Sequence, residues 1–135
     1  MTDISRVTSS IVRVRYVETD KMGVVYHANY FVWFEIGRTD WLRDTGWSYR
    51  EMEAEGLALP VIEAHCEYKR GAVYDDELDV KTSVKLLSSV RVQFEYELMR
   101  PADGVLIAKG HTVHVTIDRQ GRVVGLPVRV RELFA

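Results

Sequence analysis

The segment from Asn29 to Gly46 constrains the fold more than any other part of the chain. Tyr30, Trp33, Phe34, Gly37 and Trp41 recur at steps of three or four residues, which draws one apolar stripe along a helix. Phe31, Ile36 and Leu42 widen the stripe until only a narrow polar strip remains, made of Glu35, Arg38, Thr39 and Arg43. A helix so apolar must be mostly buried, and Gly46 is its natural C-terminal stop.

What buries it reads as strands. Val12, Val14 and Tyr16 alternate with Arg13 and Arg15, which predicts a strand over 11–16 with one wet face. After the helix, Ser48 opens a second short helix, with Glu51 three residues on as a capping-box partner and Gly56 as its end. Pro60 to Arg70 alternates weakly. Leu78, Val80, Thr82 and Val84 alternate with charged or polar residues, and so do Val90, Val92, Phe94, Tyr96 and Leu98. Ile107, Val113, Val115 and Ile117 mark a last strand ending at the turn Asp118-Arg119-Gln120-Gly121. Short connections at Leu87–Ser89 and Pro101–Gly104 predict antiparallel hairpins. The expected architecture is therefore α+β: five antiparallel strands with one long helix against one face, forming a single domain over residues 1–135. One helix covers only part of such a sheet, and an edge stays open. Both features predict association of copies, edge to edge or face to face.

Composition narrows the function classes. The net charge of −2 gives no general electrostatic reason to bind nucleic acid or an acidic membrane. Cys66 is the only cysteine, which excludes an intramolecular disulfide and multi-cysteine zinc sites and fits a reducing compartment. The N-terminal MTDISRVTSS is polar, and the apolar run Leu57–Ile62 is only six residues long and contains Pro60. A cytoplasmic protein with no membrane span is the expectation. There is no phosphate-binding glycine loop and no serine nucleophile elbow. No cofactor and no metal are expected.

The chemistry concentrates in YVETDKMGVVYHANY, residues 16–30, between the end of a strand and the start of the buried helix. Asp20 and Gly23 form a turn, with Gly23 supplying a backbone conformation that a side chain would hinder. Asn29 is the candidate N-cap, which leaves free amides near His27 to Phe31 facing outward at the positive end of the helix dipole. Such amides suit an oxygen that gains negative charge, as a thioester carbonyl does under attack. On the residues alone, a plainer reading stays open: Asp20 caps a turn, and His27 is solvated or internally satisfied.

The segment resembles the signature of the hotdog-fold acyl-CoA thioesterases, in the group of 4-hydroxybenzoyl-CoA thioesterase and the Tol-Pal-associated bacterial thioesterases. The resemblance rests on Tyr16, Asp20, Gly23, Val24, Val25, Tyr26, Asn29 and Tyr30, continues through Phe34, Glu35 and Arg38, and reaches Tyr74-Asp75-Asp76 and Leu78. It implies a hotdog fold and hydrolysis of an acyl-CoA to a free acid and CoA. Asp20 would be the nucleophile or the general base, and the His27 backbone N–H would polarise the carbonyl. The His27 side chain would assist or only shape the pocket. Gly23, Val25, Asn29 and Tyr30 would contact substrate, with Trp33 lining the site or packing the helix. Ser88, Ser89 and Arg91 would lie in the region that contacts the CoA nucleotide, although a polar hairpin tip explains them equally well. The resemblance further implies a homodimer or homotetramer with the site between subunits.

Other candidates read as structural. Lys69 and Arg70 form a basic pair that could reach a phosphate, yet a solvated strand end is the simpler account. Glu35 and Arg38 stand at i,i+3, which suits pairing with each other or with a neighbouring subunit. His111 and His114 fall on opposite faces of one strand, as do His65 and Cys66, so neither pair makes a metal or nucleophilic site. Two alternatives to the hydrolase reading remain: a non-catalytic acyl-CoA sensor, and an enzyme acting on acyl carrier protein thioesters.

Overall fold

The apolar segment forms helix α1 (Asn29–Thr45), and Gly46 ends it in the left-handed conformation at φ 87°. This follows from a computed structural model, which describes residues 6–134. The first five residues of the polar N-terminal stretch lie outside the described residues. α1 rests on one antiparallel sheet built from β1 (Thr8–Arg13), β2 (Val61–Tyr68), β3 (Glu77–Leu86), β4 (Arg91–Arg100) and β5 (Val105–Val115). Their order across the sheet is β1-β3-β4-β5-β2. The short helix α2 (Tyr49–Ala54) follows α1, with the Ser48 hydroxyl accepting from the Glu51 N–H at 3.3 Å.

Alternation sets which face of each strand meets α1. Leu78, Val80, Thr82, Val92, Phe94, Tyr96 and Leu98 turn inward and are buried. Buried Tyr30, Trp33, Phe34, Gly37, Trp41 and Leu42 of α1 cover them. Fully burying one such large side chain contributes ~1.5–3 kcal/mol. Phe34 lies flat on Tyr96 with ring centroids 4.2 Å apart, and Trp41 meets Phe94 edge-on. α1 comes very near the sheet at Gly37, where a Cβ would sit 2.9 Å from Val80 Cγ1 and collide with the Thr82 hydroxyl. Only glycine lets helix and sheet come so near.

Four details differ from the sequence expectations. The first strand ends at Arg13, and Tyr16–Glu18 form a 3-10 turn that leaves Tyr16 exposed against Tyr74. The alternation of Arg13 and Arg15 continues past the point where pairing with β3 stops. The buried stripe of α1 is narrower than its composition suggests, because Ile36 and Val32 remain exposed on the outer side. Glu35 and Arg38 do not pair with each other: the Arg38 Nε donates to the Tyr49 hydroxyl at 3.1 Å, drawn inward toward Tyr96. Finally, a third helix, α3 (Val128–Phe134), closes the core. Its Phe134 packs on Trp41, Trp47 and Phe94. Seven residues, with charges at Arg129, Arg131 and Glu132, carry too little periodicity to announce it.

β2 is a sheet edge, and every residue in it except Cys66 is exposed. α1 packs chiefly on β1, β3 and β4, and meets the far end of β2 only where Tyr68 stands edge-on to Tyr30 at 5.1 Å.

Candidate active site

A turn tied to both the sheet and α1 carries the acidic residue. The Asp20 N–H donates to the Val24 carbonyl at 2.9 Å, and the Gly23 N–H donates back to the Asp20 carbonyl at 3.0 Å. Gly23 takes φ 82°, the left-handed region that favours glycine. The Asp20 carboxylate accepts from the Met22 N–H at 2.8 Å, which fixes one oxygen and leaves the other for chemistry. The Val25 N–H donates to the Ala72 carbonyl at 2.9 Å, stitching the turn to the segment before β3.

Glu18 anchors the same turn from below, and the sequence gives little warning of it. This carboxylate is buried and accepts from the Arg15 N–H at 2.7 Å and from the Trp33 indole N–H at 3.3 Å. Its backbone carbonyl takes the Tyr26 N–H at 2.9 Å and the Asn29 side-chain amide at 2.8 Å. The only sequence signal for Glu18 is indirect: a buried tryptophan needs an acceptor for its N–H, and an acid lies upstream. Asn29 is thus not the N-cap. Ala28 occupies that position with helical dihedrals and no side-chain cap, and Asn29 is the first helical residue, its side-chain amide donating to the Glu18 carbonyl. Trp33 is buried and serves helix packing.

The uncapped start of α1 leaves donors free. Among the described residues no acceptor takes the backbone N–H of His27 or of Ala28. The Tyr26 carbonyl accepts from the Asn29 N–H at 2.9 Å, and the His27 carbonyl accepts from the Tyr68 hydroxyl at 2.9 Å.

Asp20, Val25, His27 and Tyr30 all line one cleft of about 320 Å³, together with Met22, Val24, Tyr68, Lys69, Arg70 and Gly71. Gly23 shapes the turn without lining the cleft, and Asn29 stands behind it. Tyr30 meets Tyr68 edge-on at 5.1 Å. Desolvation raises the pKa of Tyr30. Desolvation of the Tyr68 hydroxyl, with Cys66 and Tyr30 nearby, pushes that phenol up to about 12. Both therefore stay protonated donors at neutral pH. Ser88, Ser89 and Arg91 are not brought to this cleft within one chain. They sit at the hairpin joining β3 to β4, at the other end of those strands from Ala72. There the Ser88 hydroxyl accepts from the Val90 N–H at 3.2 Å and the Ser89 carbonyl from the Leu126 N–H at 2.8 Å. The basic pair that does line the cleft is Lys69 and Arg70. Among the described residues no group of three or more His, Cys, Asp or Glu is placed to hold a metal ion, and no helix is long and apolar enough to cross a membrane.

An acid beside free amides at a helix start is an acyl-transfer arrangement, and comparison with known proteins agrees. Residues 14–134 match the thioesterase-like superfamily. The chain is 35% identical to the putative acyl-CoA thioesterase YneP of Bacillus subtilis, over 95% of this chain and 90% of that one. It is 36% identical to the acyl-CoA thioesterase YbgC of Haemophilus influenzae, over 91% of this chain and 90% of that one. It also superposes on the crystal structure of the DHNA-CoA thioesterase of Staphylococcus aureus with a TM-score of 0.84 at 36% identity, covering 89% of this chain and 80% of that one. The chain belongs to the thioesterase-like superfamily, with the hotdog fold of that family, and is a thioester hydrolase.

Proposed function

We propose that the chain hydrolyses an acyl-CoA thioester to a free carboxylic acid and CoA in the cleft beside α1, as one of the 4-hydroxybenzoyl-CoA and Tol-Pal-associated group. The observation that carries this reading is that the Asp20 carboxylate and His27, whose backbone N–H is unclaimed, line one cleft, with the unclaimed Ala28 N–H next along the chain. Asp20 attacks the thioester carbonyl or activates the water that does. The developing oxyanion takes the His27 N–H, helped by the dipole of a 17-residue helix. One such donor contributes ~3 kcal/mol to transition-state stabilisation. Val25, Tyr30 and Tyr68 offer the acyl group an apolar and aromatic wall. Lys69 and Arg70 offer the phosphates of CoA two cations, a role better supported than that of Ser88, Ser89 and Arg91, which do not line the cleft.

Two copies complete this reading. The open edge of β2 and its exposed inner-face residues Val61, Ala64 and Tyr68 support edge-to-edge pairing into one continuous sheet. In that assembly β2, which leads directly into Lys69 and Arg70, is an interface.

The test is a free-thiol assay over a panel of aryl and alkyl acyl-CoAs, with matching acyl carrier protein thioesters as a second arm. Turnover on the CoA arm is expected. Release no faster than background on both arms would leave the chain a binding module and sink the proposal, whereas turnover on the carrier-protein arm alone would reassign the donor.

A further inference from the structure

The Tyr68 hydroxyl makes a bond that the family resemblance does not account for. Tyr68 is the last residue of β2, yet its hydroxyl crosses to donate to the His27 carbonyl at 2.9 Å, 41 positions away in sequence. The backbone around His27 is held from both sides. On one side, the Tyr26 N–H is taken by the Glu18 carbonyl and the Tyr26 carbonyl by the Asn29 N–H, each at 2.9 Å. On the other, the His27 carbonyl receives only a long 3.4 Å contact from the Tyr30 N–H besides the Tyr68 hydroxyl. Tyr68 is thus the one side chain among the described residues that ties the His27 peptide to the sheet.

We propose that Tyr68 is a positioning residue for thioester hydrolysis: its hydroxyl fixes the His27–Ala28 peptide, and with it the free Ala28 N–H at the start of α1 beside the Asp20 cleft. The inference rests on the oxyanion reading above and concerns the second unclaimed donor there, the Ala28 N–H, which shares a peptide with the His27 carbonyl. Because a trans peptide is planar, fixing the His27 carbonyl also fixes the N–H of Ala28. Hydrogen bonding to that carbonyl also polarises the amide and strengthens its N–H as a donor. The Tyr68 ring contributes separately. It stands edge-on to Tyr30 at 5.1 Å and to His27 at 6.3 Å, so it walls the cleft even without its oxygen.

Tyr68→Phe separates the two contributions, since it removes the hydroxyl and keeps the ring. Three quantities decide the matter: kcat and KM on an acyl-CoA that the wild type hydrolyses, affinity for an S-alkyl-CoA thioether, and the melting temperature. The thioether has no carbonyl oxygen and so reports the pocket without the oxyanion site. The expected result is kcat lowered about tenfold or more, with KM and thioether affinity within about twofold of wild type and melting nearly unchanged. Wild-type kcat in Tyr68→Phe would overturn the proposal. So would a thioether affinity that falls by the same factor as kcat, since Tyr68 would then be only a wall. If Tyr68→Phe melts markedly lower, its kinetics are taken well below its melting range, and a wild-type kcat there overturns the proposal as well. A wild-type chain without turnover on any acyl-CoA would instead remove the underlying function, so the two failures are distinct.

Discussion

Protonating His114 should weaken the fold by an amount the structure lets one estimate. The side chain is fully buried under α1. Nδ1 lies 2.8 Å from the Leu59 carbonyl, which only accepts, so Nδ1 carries the proton. Nε2 must then accept from the Thr112 hydroxyl at 2.8 Å, and Thr112 in turn accepts from the Tyr96 hydroxyl at 2.6 Å. A proton added at Nε2 would oppose the direction of this chain. Desolvation is the main cause that lowers the His114 pKa to about 4; Arg38 lowers it further, and the Leu59 bond partly offsets them. In the unfolded chain the same imidazole titrates near 6.5. Above about pH 6.5 both states are neutral, and His114 adds no pH dependence. As pH falls below that value the unfolded state gains a proton that the folded state refuses, so stability is lost progressively down to about pH 4. Two and a half pH units at about 1.4 kcal/mol each amount to ~3 kcal/mol. The measurement is urea unfolding followed by tryptophan fluorescence between about pH 7.5 and pH 4 at fixed protein concentration, for wild type and His114→Gln. Glutamine can still donate to Leu59 but does not titrate, and the carboxylates common to both proteins cancel in the comparison. The wild type should lose ~3 kcal/mol more than the variant across this range. Parallel stability curves would refute the assignment of a neutral imidazole.

Asp20→Asn should keep the Met22 N–H bond through its amide oxygen, so melting changes little while turnover falls by about 10²–10⁴, and a variant with wild-type turnover would rule out Asp20 as base or nucleophile. Gly37→Ala should destabilise the fold by ~1–3 kcal/mol despite the better helix propensity of alanine, because its Cβ meets Val80 and Thr82; calorimetry showing an unchanged or higher melting point would contradict the close approach of α1 to β3. Replacing both Lys69 and Arg70 by alanine should raise KM for an acyl-CoA about tenfold and leave KM for the matching N-acetylcysteamine thioester, which has no phosphates, nearly unchanged. Equal effects on the two substrates would take the cations away from the CoA phosphates.

Much of the fold was legible because periodicity is a local property. The stripe of Tyr30, Trp33, Phe34, Gly37 and Trp41 fixed α1 and its buried face, and alternation through Val80, Phe94 and Tyr96 fixed the strands that cover it. Asp20, Gly23 and His27 were readable as a candidate site because turn chemistry and the start of an apolar helix lie within one short stretch of chain.

What the sequence could not supply depends on residues far apart in the chain. Asn29 has the right chemistry for an N-cap, and only the fold brings the Glu18 carbonyl within 2.8 Å of its amide and takes it away from the helix. Arg38 is correctly spaced to pair with Glu35, but tertiary packing sets it beside Tyr49 instead. Lys69 and Arg70 look like a solvated strand end until β2 delivers them to the Asp20 cleft, whereas Ser88, Ser89 and Arg91 are carried to the far end of the sheet. α3 owes its place to Phe134 packing among Trp41, Trp47 and Phe94, a pocket that exists only once α1 and β4 have met. The sequence by itself determined α1, α2 and the strands, and singled out Asp20 as the candidate acid. The partners of each polar side chain were decided by tertiary structure, because a hydrogen bond depends on distance in space and periodicity reports only distance along the chain.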